Sequence, residues 1–273
     1  MPNNLKNTIY LIGGDVSVSK SKEIHNAIYK QLNLNLKYEA LSFGNEDELS
    51  LFLDKNPEII CNVTHPYKQF CFNYFKNNSY TDTASQFCQA SNLIIKGKNI
   101  FNFDGAGFYE FLNLKNINLA GKKVLICGSG ATAKSIYFAI KDKGCKSINF
   151  VSRSPQKVQN LDEKILTYEE ANFKLSNFDL IVDARPLSFE ERLLKFEKPN
   201  PDSVIIDISY SDKTTGIISL AKNFGLQNFD GRSMLICQAV LCIQEILKSC
   251  SIDNADAKDF KKLYNIGAQA IAY

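Results

Sequence analysis

The residues best suited to chemistry lie in Ile59-Ile-Cys-Asn62-Val-Thr64-His-Pro66-Tyr-Lys68. The apolar, β-branched start reads as a buried strand, and Pro66 has no N–H for a later ladder bond, so the strand is expected to stop near Thr64. At the strand period Asn62 and Thr64 share a face, and Lys68 stands just past the break, where a helix can begin. Two hydrogen-bonding side chains and an ammonium would then converge at one strand end. Alone, the segment reads as a strand with a polar exit and a solvated lysine; the rest of the chain reverses that reading.

The second pattern is a glycine turn. Lys123-Val-Leu-Ile-Cys127 is a buried strand, followed at once by Gly128-Ser129-Gly130-Ala131-Thr132-Ala133 and a helix to about Lys141. In this strand–turn–helix setting Gly128 permits the tight turn, Gly130 lets the backbone approach a pyrophosphate, and Ala133 lets the helix pack near the sheet, which points to a dinucleotide. The next strand, Ser147 to Val151, ends in Ser152-Arg153-Ser154. An acidic residue about 20 positions past the motif would hold the ribose hydroxyls of NAD, whereas an arginine favours a 2′-phosphate. Arg153 occupies that place, so NADP is preferred over NAD.

Other polar residues carry two readings each. Ser19 and Ser21 precede a helix with apolar positions Ile24, Ala27, Ile28 and Leu32, so Ser21 is a cap candidate, and the same helix start suits a carboxylate. Asp104, after the short strands Ala90–Ile95 and Asn99–Phe103, is an ordinary N-cap or a functional carboxylate. Asn92 and Asn102 are weaker signals on strand ends. Gln238 interrupts a helix that is apolar nearly all round, so its amide needs partners in a core network or a ligand.

The elements that must position these residues alternate as β-α-β-α-β from Thr8, with Asn45-x-x-Glu48 as a capping box, so a parallel sheet with right-handed crossovers is expected. At 273 residues, with 45% hydrophobic residues, the chain can build two α/β domains. The expected division is 1–104 with the C-terminal helices 239–273 as a substrate-binding catalytic domain with a mainly parallel sheet, and 105–238 as a Rossmann-like NADP-binding domain, with a cleft between them. The polar stretch Asn113 to Lys122 is the expected crossing. The net charge of +3, without a basic aromatic-interleaved block, argues against nucleic acid. No apolar run approaches the ~20 residues of a membrane span, and residues 1–8 lack an export core, so a soluble cytoplasmic protein is expected. Eight cysteines without Cys-x-x-Cys read as small buried hydrophobes, and two histidines make a metal site improbable.

Taken together, the motifs resemble the shikimate dehydrogenase family, in order from Gly13 to about Ala239. Ser19-Lys-Ser21 with His25-Asn26 resembles Ser-x-Ser-Pro-x-x-His-Asn. Asn62-Val-Thr-His-Pro-Tyr-Lys68 resembles Asn-Val-Thr-x-Pro-x-Lys, and Ala90-Ser-Asn92 resembles Ala-Val-Asn. Asn102-Phe-Asp104-Gly-Ala-Gly107-Phe108 is similar to Asn-Thr-Asp-Gly-x-Gly-Phe. Ser152-Arg-Ser154 resembles Asn-Arg-Thr, Asp207-Ile-Ser-Tyr210 resembles Asp-x-x-Tyr, and Gly231-x-x-Met234-Leu-x-x-Gln238-Ala resembles the terminal signature.

The resemblance implies NADPH-dependent, reversible reduction of 3-dehydroshikimate to shikimate in aromatic amino-acid biosynthesis, by a monomer or homodimer. A quinate/shikimate dehydrogenase of broader specificity, or a non-catalytic relative that kept the pocket, are the alternatives. The resemblance further implies that Ser19 and Ser21 hold the substrate carboxylate, that Asn62, Thr64, Asn92, Asp104 and Gln238 orient ring hydroxyls with Tyr210 nearby, and that Lys68 and Asp104 are the catalytic pair. Gly128 to Ala133, Ser152, Arg153, Ser154, Gly231 and Met234 would hold the cofactor. Asp104 is expected to favour the charged form of Lys68.

Three departures stand out. Lys22 replaces proline, Phe103 replaces threonine, and Asp183-Ala-Arg185-Pro-Leu-Ser188 replaces Asn-Ala-Thr-Pro-x-Gly. Phe103 should point away from Asn102 and Asp104 at the strand period. Arg185 either reaches a cofactor phosphate or extends to solvent, and solvent is the expectation.

Overall fold

The strands form two six-stranded sheets among the residues that the computed structural model describes, which are 7–158, 161, 163–186, 200–210 and 215–272. Expectations placed on residues 1–6 and on Leu187 and Ser188 lie outside the described residues. The chain divides into two compact units, Met1–Gly107 with Leu235–Tyr273, and Phe108–Met234.

In the first unit β1 (Thr8–Gly13), α1 (Ser21–Gln31), β2 (Lys37–Ser42), α2 (Glu46–Lys55), β3 (Ile60–Val63) and α3 (Lys68–Phe75) alternate in order. β4 (Tyr80–Thr81), α4 (Thr83–Cys88), β5 (Leu93–Ile95), β6 (Asn99–Phe101) and the start of α5 (Asp104–Leu114) follow. The sheet order is β2-β1-β3-β5-β6-β4. The expected parallel pairing holds where helices cross over, between β1 and β2 and between β1 and β3. The exception is β5, which is antiparallel to both β3 and β6, so this sheet is mainly parallel. Only residues 96–98 join β5 to β6, too short for a crossover, and Lys96 and Gly97 both take positive φ to reverse the chain.

In the second unit β7 (Lys123–Cys127), α6 (Ala131–Ile140), β8 (Ser147–Val151), β9 (Lys164–Leu166), α7 (Tyr168–Lys174), β10 (Leu180–Asp183), β11 (Val204–Asp207), α8 (Gly216–Asn223) and β12 (Gln227–Phe229) form an all-parallel sheet. Its order, β12-β11-β10-β7-β8-β9, is the doubly wound arrangement in which the strand order reverses between β7 and β10. β9 and β12 were not among the expected strands; at three residues each they are too short to show a period. α9 (Arg232–Ser249) and α10 (Phe260–Ala270) complete the fold. α10 lies on α1 and α9 at Gly267, where an added Cβ would stand 2.8 Å from Ile236 and 3.2 Å from Ile24.

The junctions fall at 107/108 and 234/235, not at 104/105 and 238/239, and not in Asn113–Lys122. Both lie inside continuous helices, α5 and α9, so no turn marks them. Six cysteines, 61, 71, 88, 127, 237 and 242, are buried in the two cores. Among the described residues no helix is long and apolar enough to cross a membrane.

Candidate functional site

Parallel pairing of β1 with β3 puts their carboxyl ends at one edge of the first sheet, with Ile12 opposite Val63. The two ends are pressed together. An added Cβ on Gly13 would stand 2.5 Å from Thr64 Cγ2, and the Gly14 N–H donates to the His65 carbonyl at 3.0 Å. β3 ends at Val63, and Lys68 is the first residue of α3. Because β5 runs antiparallel to β3, its start lies at that same edge: the Val63 N–H donates to the Asn92 carbonyl at 3.0 Å. β6 ends there too, and delivers Asp104 as the first residue of α5.

The result is a polar cluster of five residues from distant parts of the chain. Asp104 takes the Lys68 ammonium on one carboxylate oxygen and Asn92 Nδ2, at 2.9 Å, on the other. Asn92 Nδ2 also reaches Gln238 Oε1 at 3.2 Å, and Asn92 Oδ1 accepts the Phe103 N–H at 2.9 Å. Asn62, on β3, donates to the Asn92 carbonyl at 3.0 Å. Asp104 therefore points its charge into this cluster from inside the helix. A close approach holds Gln238 there: a Cβ on Gly107 would lie 2.6 to 2.8 Å from Gln238 Cβ, N and Cα, so only glycine lets α9 cross α5 at this point. Gln238 is half-buried, and its Nε2 donates to the Leu235 carbonyl at 3.1 Å.

Ser19 and Ser21 lie on the loop and helix that leave the carboxyl end of β1. Ser21 is not the cap of α1. It is the first helical residue, Lys20 precedes it without a side-chain cap bond, and Ser19 Oγ instead receives the Ser21 N–H at 3.3 Å and donates to Ser21 Oγ at 3.2 Å. The cap expectation fails because the two hydroxyls bond each other. In α2 the capping box is half formed: Asn45 accepts from Glu48 N at 2.9 Å, but Glu48 turns to the Gly44 N–H. Phe103 stacks on Phe101 with centroids 5.7 Å apart, on the face opposite Asn102 and Asp104.

Two further residues of this cluster were not among the expected site residues. Tyr38 O–H donates to Asn62 Oδ1 at 2.9 Å, and Asn62 Nδ2 reaches Cys242 Sγ at 3.2 Å. Cys242 stands four residues after Gln238, so the i,i+4 spacing on α9 was the available signal. Burial, and beyond it the nearby Asp104 carboxylate, push the Cys242 thiol up to about 12, despite the Asn62 hydrogen bond and the Lys68 charge. Burial likewise pushes His25 down to about 3, so it sits neutral in the core.

In the second unit the glycine turn follows β7, beside β10. Gly128 takes φ +117, where an added Cβ would stand 3.1 Å from the Ala184 carbonyl oxygen; Gly130 has open space around it. α6 starts at Ala131 with Gly130 as a cap that has no side chain, which leaves its first N–H groups for an anion. Ala133 is buried against the sheet. Ser152, past β8, donates to Ser129 Oγ at 2.7 Å and accepts the Ser154 N–H at 3.0 Å, tying the β8 end to the turn, and Arg153 is exposed there. The backbone of Gly231 abuts Ile208 so closely that a Cβ would overlap its carbonyl, and Met234 is buried. Tyr210 also belongs to this unit. These residues fit a dinucleotide: a positive-φ glycine, an uncapped helix start and a basic residue at the next strand end.

Arg185 corrects the sequence reading. It is buried, not directed to solvent: Nε and one terminal nitrogen each lie 2.8 Å from the two oxygens of Asp183, and the guanidinium stands 5.7 Å over the Tyr168 ring. Burial works against its charge, but the hydrogen bonds and charge of Asp183 outweigh it, so its pKa is raised. Residues two apart at a strand end share a face, which was the overlooked signal.

Comparison with known proteins gives one family. A model of the shikimate dehydrogenase substrate binding domain matches residues 11–94, and one of shikimate / quinate 5-dehydrogenase matches residues 112–211. A relative from Clostridium botulinum (strain Loch Maree / Type A3), named shikimate dehydrogenase (NADP(+)), is 33% identical over 248 residues, covering 86% of this chain and 95% of its own. One of the same name from Nitrosopumilus maritimus is 28% identical over 253 residues, 85% of this chain and 90% of its own. The solved shikimate 5-dehydrogenase of Thermus thermophilus, in complex with NADP(H) and shikimate, superposes with a TM-score of 0.80 at 22% identity, over 96% of this chain and 99% of that one. That of Listeria monocytogenes, in complex with shikimate and NAD, gives 0.73 at 22%, over 94% and 96%. The structural likenesses establish the two-domain fold.

Proposed function

The chain belongs to the shikimate dehydrogenase family, and from that premise we propose that it catalyses the NADPH-dependent, reversible reduction of 3-dehydroshikimate to shikimate, a step of aromatic amino-acid biosynthesis, with Lys68 and Asp104 as its catalytic pair. The observation that carries the assignment of the pair is the contact of Lys68 with Asp104, which Asn92 holds from the other oxygen.

NADPH, when bound, supplies the hydride. In the direction of reduction the carbonyl oxygen gains negative charge as the hydride arrives, and needs a proton and a nearby cation. The Lys68 ammonium supplies both, giving a proton to the new hydroxyl; in the reverse direction it takes that proton back. Asp104 fixes the position of the ammonium, and Asn92, itself bonded to Gln238, fixes Asp104. Asn62, Thr64, Asn92, Asp104 and Gln238 orient the ring hydroxyls, Tyr210 is assigned with them as a substrate-binding residue, and Ser19 and Ser21 take the substrate carboxylate. Gly128 to Ala133 cradle the pyrophosphate, Ser152, Arg153 and Ser154 hold the 2′-phosphate end, and Gly231 and Met234 complete the cofactor site. The protein acts in the cytoplasm, where NADPH and reduced thiols are both supplied.

The test is steady-state reduction of NADP and NAD with shikimate and with quinate. Shikimate with NADP is expected to give the highest kcat/KM. A higher value with quinate would favour the broader quinate/shikimate activity; thermal stabilisation by shikimate with no absorbance change at the nicotinamide band would mark a binding protein.

A further inference from the structure

Asn62 is more constrained than a ligand-binding amide needs to be. Its Nδ2 faces the Asn92 carbonyl at 3.0 Å, and a backbone carbonyl can only accept, so the amide nitrogen must lie on that side. Its second N–H goes to Cys242 Sγ at 3.2 Å. Its oxygen is then turned toward Tyr38, whose hydroxyl donates to it at 2.9 Å. Both donors are taken, and one oxygen lone pair remains.

Tyr38 is itself clamped. It is wholly buried on β2, the edge strand, and Asn26 of α1 pairs with both its backbone groups, at 2.9 Å to the N–H and 3.0 Å to the carbonyl. Its ring stacks on the His25 ring at 3.9 Å between centroids and 18° between planes, and His25 Nδ1 is 3.1 Å from the Tyr29 hydroxyl. On the opposite side Cys242 Sγ lies 3.8 Å from Gln238 Oε1, within the longer reach of a thiol donor, so one sulfur touches two of the amides assigned to the substrate.

We propose that Tyr38 and Cys242 are positioning residues for the reaction: together they lock Asn62 so that it offers the substrate an acceptor and never a donor. The substrate must therefore present a hydroxyl hydrogen to Asn62, and a ligand that offers only an acceptor at that place is rejected, since two like-signed dipoles would face each other. The inference rests on the functional reading above.

The test is the set of steady-state constants of Tyr38→Phe, Cys242→Ala, Cys242→Ser and, as comparator, Tyr29→Phe. Tyr38→Phe removes one oxygen and keeps the stack, and should raise KM for shikimate about 5- to 20-fold while KM for NADP stays within about twofold. Cys242→Ala should raise KM for shikimate about 3- to 10-fold, and Cys242→Ser, which retains donor and acceptor, should restore it to within about twofold. Tyr29→Phe leaves His25 short of a partner without touching Asn62, so it should lower the melting temperature and leave KM for shikimate unchanged. Equal rises in both KM values, no rise in Tyr38→Phe, or an equal rise in Tyr29→Phe would overturn the proposal while wild-type turnover upholds the functional reading. A wild-type protein that fails to turn over shikimate removes that reading and this inference with it.

Discussion

Each unit carries an acid–base pair at the carboxyl ends of its strands, and the two pairs differ in almost every respect. Lys68 and Asp104 are 36 residues apart, come from two different helix starts, and keep 16% and 7% of their side chains exposed. Asp183 and Arg185 are two residues apart, leave the end of one strand, and keep 0% and 2%. The first pair lies in a cluster with the amides of Asn62, Asn92 and Gln238. The second is closed in a fork of two hydrogen bonds beside the Tyr168 ring, with the Arg185 N–H also on Asp183 at 3.1 Å. A pair proposed to move a proton has to remain reachable; a pair that shapes the chain does not. Asp183 and Arg185 fix the backbone at Ala184, whose carbonyl lies against Gly128, and so form the floor of the glycine turn.

Removing one partner from each pair should separate the two roles. Lys68→Ala is expected to lower turnover by about 10²–10⁴, the scale of losing a positioned acid, while the melting temperature stays near that of wild type. Rate assays beside thermal melts check it, and near-normal turnover would return Lys68 to the status of a solvated lysine.

Arg185→Ala should do the reverse, costing about 3–5 kcal/mol of stability because it strands a buried carboxylate. In Asp183→Asn with Arg185→Thr, which restores the family's uncharged pattern, most of that loss should return. Urea unfolding of the three proteins measures it; a single variant as stable as wild type would show that the fork contributes nothing.

The smallest effect is expected at the exposed end of the second unit. Arg153→Ala should weaken NADP more than NAD, by about 1–2 kcal/mol, the scale of a charged hydrogen bond. Initial rates against each cofactor decide it, and equal losses would remove the 2′-phosphate role.

Much of the site was legible in the chain because its signals are local. The glycine turn needs only a strand, two glycines and a helix in succession, and it stands where the spacing placed it. Asn62 and Lys68 lie on either side of a proline that ends a strand. The misread features all depend on a neighbour that spacing did not suggest. Ser21 was expected to cap α1, but Ser19 engages it first. Arg185 was expected in solvent, but Asp183 holds it. The first crossing was expected in the polar stretch Asn113–Lys122, and the units divide before it, inside α5.

The order of residue types along this chain determined which groups can do chemistry and which turn can hold a phosphate, since both follow from backbone and side-chain chemistry within a few residues. Tertiary structure alone decided that Asp104 meets Lys68, that Asn62 faces Tyr38 with its oxygen, and that Gly107 admits Gln238. Those contacts depend on strand pairing and on one helix crossing another, and both are set by packing between segments that lie tens of residues or more apart.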